Sequence, residues 1–433
     1  MEKDSKSLLK SAKFLVSAIL IGISVGLILS CYRYVVPLLG SYFQKFYAWT
    51  RTGFVGFFFF MGGLALVGLV VGLITAWEPK IGGSGIPQVA AQLKGKMKLN
   101  WRRVFPAKFT GGLLSLAAGL TVGREGPSVQ MGASLADGLC GLVKSKEEDK
   151  PFLLVSGAAA GLATAFHAPL SGIIFALEEL HKNMKPRAFV AASLASICAG
   201  VTSSLVLGNK PVMDFGILKA IPLVAYPLLV GLAILIGFLA VIFTRSIARG
   251  KKIYKALPLP LYARVTLAFI LTGIFLYCWP KLYGSGEIFL SPMMEGQLEP
   301  KTIFLLLVLK FALLLVAFCS GLPGGIFFPL LILGAFVGSL YAQAAVALGI
   351  LDPTLVPVFT VLAMTANFSA IVRSPLTGIA LIAEMTGSFT YFLPLCIVSF
   401  TSYLTAELLG LPPVYDLLLE MQLADAGQSE RKA

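Results

Sequence analysis

Charge is what this sequence has least of. Only 13% of its 433 residues are Asp, Glu, Lys or Arg, whereas a soluble globular domain carries about a quarter. That scarcity excludes an ordinary water-soluble fold. Cysteine is sparse and scattered: residues 31, 140, 198, 278, 319 and 396 stand singly in apolar segments, without a CxxC or a metal-ligand spacing. The pattern excludes a disulfide framework and leaves packing as their role. The net charge of +14 would suit nucleic acid, but a basic stripe interleaved with base-stacking aromatics is missing, and that partner is excluded. The basic residues gather instead at 3–13, 94–103 and 245–255, each beside an apolar run. There they set orientation by the positive-inside rule and meet anionic lipid heads.

What is abundant is apolar sequence, at 57% of residues. Runs long enough to cross a bilayer occupy roughly 14–37, 53–78, 187–207, 217–244, 261–279, 302–320 and 391–409. Shorter runs broken by Gly and Pro, such as 151–181 and 355–387, lie between them. The chain reads as an all-α polytopic membrane protein. Its first run has a basic flank but is too long for a signal peptide and leads into further spans, so it reads as a retained helix.

Two halves repeat each other. Gly83-Ser84-Gly85 recurs as Gly284-Ser285-Gly286, an offset of 201. Gly123-Arg124-Glu125-Gly126-Pro127 has the spacing of Gly325-Ile326-Phe327-Phe328-Pro329, an offset of 202 between the prolines. Pro169-Leu170-Ser171-Gly172-Ile173 recurs as Pro375-Leu376-Thr377-Gly378-Ile379, an offset of 206, with Glu178 falling on Glu384. Three matches in one order mark two structural repeats. The expected divisions are a cytoplasmic segment 1–13, repeats at 14–207 and 217–420, and a polar tail 421–433. With the basic loops cytoplasmic, the two GSG turns fall at opposite faces, so the repeats are expected to be inverted, with a ligand site between them.

The glycine–proline motifs describe that site. Each is a glycine turn followed by a proline that opens an apolar helix, the position where a missing N–H costs nothing. Amides exposed at a helix start attract an anion. Glu125 stands in one of them. A carboxylate inside a membrane marks a pathway, and here it can mimic the anion: ionised it fills the site, protonated it leaves.

Gly83-Ser84-Gly85-Ile86-Pro87, the Gly123–Pro127 motif and the Gly325–Pro329 motif resemble the three chloride-site signatures of the CLC chloride channel and transporter family, in family order. Tyr415, within Leu411-Pro412-Pro413-Val414-Tyr415, resembles the late tyrosine that faces chloride from the inner side. The resemblance spans about 14–420. It implies chloride held by the Ser84 hydroxyl, the Tyr415 phenol and the amides of Ile326 and Phe327, with Arg124 and Gly126 beside them. It makes Glu125 the gate and the proton carrier, and aligns Glu179 with the internal proton-transfer position of exchangers. Glu178, matched to Glu384, is left with a structural or capping role. The family further implies a homodimer in a plasma (inner) membrane, both termini cytoplasmic, exchanging chloride for protons without cofactor or metal.

Several alternatives share these residues. A passive chloride channel has the same fold, but such channels usually lack a carboxylate at the Glu179 position. The fluoride-exporting branch departs from the serine motif. An intramembrane serine hydrolase would pair Ser84 with His167 as a dyad. His167 and Arg373 stand two residues before the repeated prolines; a hydrogen bond at the start of the next helix is the expectation for His167, and a membrane surface for His181.

Overall fold

The computed structural model describes residues 2–51, 53–182, 185–209, 213 and 220–430. Among them the chain is helical, and its extended contacts are two isolated bridges, Gly83 with Pro323 and Gly123 with Gly325. The first half comprises α1 Glu2–Thr50, α2 Gly53–Trp77, α3 Ile86–Leu93, α4 Trp101–Ala117, α5 Glu125–Leu142, α6 Lys150–Phe166, α7 Pro169–Phe175 and α8 Pro186–Leu207. The second comprises α9 Tyr226–Ala256, α10 Leu261–Cys278, α11 Leu290–Met294, α12 Pro300–Cys319, α13 Phe327–Ala347, α14 Val356–Val372, α15 Pro375–Thr386, α16 Phe392–Leu408 and α17 Val414–Glu430.

Eight helices among the described residues are long and apolar enough to cross a membrane. Side chains such as Phe54, Phe58, Phe59 and Leu66 on α2 and Ile197, Val201 and Leu205 on α8 stand exposed, the surface expected of helices facing lipid. The chain is a multi-pass integral membrane protein. The spans differ from the sequence reading in detail. Phe327–Ala347 and Pro353–Val372 are long enough to cross, though the first was not among the expected runs and the second fell in 355–387, read as broken by Gly and Pro. The run 391–409 yields only the 17 residues of α16. The run 217–244 becomes a helix from Tyr226, and residues 217–219 lie outside the described ones.

The centre is built from α5, α6, α13 and α14, whose contacts are lined by small residues. A Cβ at Gly334 would meet the Ala363 carbonyl at 2.6 Å, and one at Gly338 the Phe359 carbonyl at 2.7 Å. Gly132 against Gly157 and Gly161 against Ser128 make the same approach between α5 and α6. Helices in lipid gain from such close packing, since burying apolar surface offers little there.

A pseudo-two-fold axis relates the halves. Gly123 N–H donates to Gly325 O and Gly325 N–H to Gly123 O, both at 2.7 Å. Two repeat mates that exchange equivalent bonds are related by a two-fold operation. The breaks in the helices match too: His167 ends α6 at φ 56° and Arg373 ends α14 at φ 71°. Glu384 accepts from Leu170 N–H at 2.9 Å, Ser171 N–H at 2.7 Å and Ser171 Oγ at 2.5 Å. Glu178 accepts from Leu376 N–H at 3.1 Å, Thr377 N–H at 2.8 Å and Thr377 Oγ1 at 2.7 Å. Each repeat caps the short helix of the other, as the Glu178–Glu384 match had suggested.

His167 is a correction. It does not serve the start of α7; its Nε2 lies 3.2 Å from Asn209 Oδ1 and 3.3 Å from Ser204 Oγ, at the end of α8. The α7 start offers three donors, which a two-oxygen carboxylate satisfies better than one ring nitrogen.

Glu384→Ala leaves those donors at the partly buried α7 start without their acceptor. A lost cap costs about 0.5–2 kcal/mol. The variant is expected to unfold several degrees lower in detergent, read by thermal unfolding, and an unchanged transition would mean that water replaces the carboxylate fully.

Candidate anion and proton site

The loops before α3, α5 and α13 are stitched together through their backbones. Gly83 N–H donates to Leu322 O at 2.9 Å and Gly324 N–H to Gly83 O at 3.0 Å, beside the Gly123–Gly325 pair. Gly126 lies so close to Ser84 that a Cβ would meet Ser84 O at 2.7 Å. Gly85 holds φ 90° to turn the chain into α3, a conformation that side chains with a Cβ resist. The first amides of α3, α5 and α13 therefore gather in one place, and the first amides of a helix have no intrahelical partner.

The carbonyls of the serine loop are drawn away by side chains. Gln130 Nε2 donates to Lys80 O at 2.8 Å, Lys108 Nζ to Ile81 O at 2.6 Å, Gln88 Nε2 to Gly82 O at 2.8 Å and Lys108 Nζ to Gly83 O at 2.7 Å. Four successive carbonyls, each repulsive to an anion, are thus occupied. Lys310 repeats the arrangement around the second GSG turn, donating to Leu282 O at 2.6 Å and Gly284 O at 2.7 Å. The sequence reading passed over Lys108 and Lys310. Their separation equals the offset of 202 between Pro127 and Pro329, the signal that would have found them.

The remaining donors are modest ones. Ser84 is 2% exposed and its Oγ accepts from Ile86 N–H at 3.3 Å, leaving its own proton to give. Tyr415, in the first turn of α17, is 2% exposed, and its hydroxyl has no hydrogen-bond partner among the described residues. Ile326 and Phe327 form the start of α13, and Phe327 is fixed by ring contacts with Phe368 at 4.3 Å and Phe166 at 5.2 Å. Such a set holds an anion loosely enough to let it go.

Glu125 is fully buried. Its Oε1 accepts the N–H of Phe328, and its Oε2 has no partner among the described residues. The carboxylate folds back over Gly123, where any Cβ would collide with it. A carboxylate thus occupies a helix-start amide, and that amide belongs to Phe328, which stands in the Gly325–Pro329 motif but was not among the expected site residues. Arg124 makes no ion pair with it among the described residues. Both Arg124 and Glu125 line a cavity of about 240 Å³, with Gln44, Tyr283, Glu287 and Phe328.

Glu179 lines a different cavity of about 400 Å³, with Lys182, Arg373, Tyr403 and Glu407. It is 5% exposed and accepts from Ser374 Oγ at 2.9 Å. It sits in a π-helical turn, Ala176–His181, a form frequent at functional sites. Both Glu178 and Glu179 line the cavity, but Glu178 spends its carboxylate on three donors at the α15 start whereas Glu179 accepts from Ser374 Oγ. Both cations there are engaged: Lys182 with Asp416 at 2.6 Å, and Arg373 with Glu407 at 3.1 Å and with Leu411 O at 2.7 Å. His181 is half-buried against Phe152. Ser84 and His167 bond to other partners, so the hydrolase dyad does not form.

A family model described as voltage gated chloride channel matches residues 66–407. An H(+)/Cl(-) exchange transporter ClcA of Vibrio campbellii is 34% identical over 370 residues, spanning 84% of this chain and 78% of that protein. The solved structure of a slow cyanobacterial Cl-/H+ antiporter superposes with a TM-score of 0.87 at 30% identity, covering 95% of this chain and 98% of the other. A CLC-type fluoride/proton antiporter, at 20% identity and a TM-score of 0.77 over 90% and 94% of the two chains, shares the fold alone. The stitched helix starts and the carboxylate lodged among them are held in a chain that belongs to the voltage-gated chloride channel, or CLC, family.

Proposed function

We propose that this chain is a chloride/proton antiporter in which Glu125 is the gate and the outer proton carrier. The observation that carries the reading is the Glu125 carboxylate on the Phe328 amide: it takes a place that chloride would take. Ionised, the carboxylate competes with the anion; protonated, it gives up the amide and chloride moves in. The proton and the anion therefore exclude one another at one site, which is what couples opposite fluxes. Chloride is held by Ser84, Tyr415 and the amides of Ile326 and Phe327, with Gly126 allowing the close approach of the loops and Arg124 facing the outer cavity. Glu179 passes protons to the inner solution. A buried carboxylate in a second, separate cavity has no task in a passive channel, and this favours exchange.

The protein works in a lipid bilayer as a homodimer with one pathway per subunit, needs no cofactor, and takes chloride and protons as cargo. Its repeats run over 14–207 and 217–420, between a cytoplasmic segment 1–13 and a polar tail 421–433. Both termini face the cytoplasm of a plasma (inner) membrane.

Liposomes holding the purified protein, with chloride driven outward and an ionophore clamping the voltage, are expected to take up protons. Glu125→Gln is expected to abolish that uptake while chloride still moves. Chloride-driven proton movement in the variant would remove Glu125 from the role.

Glu179→Gln is expected to stop protons and spare chloride, because chloride needs donors and the proton needs a titratable oxygen. Glu178→Gln is expected to keep both fluxes coupled. The reverse pattern, measured in the same liposomes, would transfer the relay to Glu178.

The double variant Ser84→Ala with Tyr415→Phe removes two donors, each worth about 1–3 kcal/mol to a bound ion, less where water substitutes. Calorimetry is expected to read chloride binding weakened at least tenfold, and an unaltered affinity would locate the ion elsewhere.

A further inference from the structure

The cavity above Glu125 holds a second carboxylate that the exchange does not account for. Glu287 follows the second GSG turn, directly after Gly286 at φ 105°. Its repeat mate after the first turn is Ile86, fully buried. The fold thus accepts an apolar residue at this position. Glu287 is exposed and lines the cavity with Arg124, Glu125 and Phe328. Among the described residues neither Glu287 nor Arg124 has an ion pair, so both charges act on whatever fills the cavity. Two other titratable neighbours belong to this region: Tyr283 donates its hydroxyl to Ala117 O at 2.5 Å, and Arg33 on α1 donates to Thr164 O at 3.3 Å and keeps its positive charge, which both Arg124 and Glu287 feel.

We propose that Glu287 is a fixed negative charge that lowers the occupancy of this vestibule by chloride, and so sets the concentration at which the outer face of the exchanger saturates. The inference rests on the reading of Glu125 as the gate between this cavity and the anion site. Apolar walls at Leu116, Leu120 and Val122 focus the field of a charge into the water between them. Arg124 and, from α1, Arg33 attract chloride there, and Glu287 offsets part of that attraction. Removing Glu287 strengthens the pull of the two arginines. A structural role is a poor competitor, because the Glu287 carboxylate holds no backbone or side-chain partner among the described residues, unlike Glu178 and Glu384, whose carboxylates cap helices.

The test uses the full-length protein in planar bilayers, where each face is addressed separately, with half-saturating chloride as the readout. At low ionic strength, Glu287→Gln is expected to lower the half-saturating chloride on the Glu287 face about threefold, and Glu287→Lys about threefold more. Glu287→Asp should match the parent. The differences should shrink when an impermeant salt raises the ionic strength, and half-saturation from the opposite face should not move. Equal values for the Gln, Lys and parent proteins would overturn the proposal, as would an identical change at both faces, the mark of a distorted fold. The parent's own chloride-driven proton uptake is recorded alongside: its absence sinks the reading of Glu125, whereas a flat charge series with uptake intact sinks only the role of Glu287.

Discussion

The hydrogen bonds that Gly123 and Gly325 exchange are the constraint on which the rest depends. Inside a bilayer every backbone group needs a partner from the protein itself. Broken helices violate that demand unless the breaks satisfy one another. Here the two halves bring their breaks together, and each loop supplies the donor and acceptor that the other lacks. Once the loops are paired, the starts of α5 and α13 point at a common region, with α3 joined through the Gly83–Leu322 and Gly324–Gly83 bonds. The anion site proposed above then rests on backbone geometry, with helix-start amides as its principal donors.

Dipoles alone would not suffice, since a loop exposes carbonyls as readily as amides. Gln88, Lys108 and Gln130 settle the sign by occupying the carbonyls of residues 80–83. This also explains a lysine with no exposed surface. Burying an amine is tolerable only when it is hydrogen-bonded, and the two carbonyls are its partners. Lys310 solves the same problem across the axis. The lysines thus serve the loops first, and through them the ion.

Four glutamates show how one residue type is given different work by its surroundings. Glu178 and Glu384 cap short helices and hold the repeats to each other. Glu125 is fully buried and Glu179 nearly so, yet each faces a cavity and keeps few partners. A carboxylate saturated by amides stays put, whereas one with a free oxygen can leave when protonated. The π-helical turn lets adjacent glutamates take opposite fates.

Much of this was legible in the sequence. Scarcity of charge and long apolar runs dictated a helical membrane protein, because lipid admits little else. The three repeated motifs dictated two halves, and glycine before proline marked the helix starts, since only those residues suit a turn that exposes amides. Ser84, Glu125, Glu179 and Tyr415 could be singled out by motif. What the sequence could not rank was partnership between residues far apart in the chain. That Glu125 would settle on the Phe328 amide depends on a contact across the axis, and that Lys108, Lys310 and His167 would reach carbonyls or side chains 25 to 42 residues away depends on how each half folds on itself. Sequence determined which segments must break and which groups could serve an anion. Tertiary structure alone decided which broken end faces which, because a hydrogen bond forms between neighbours in space, whatever their separation along the chain.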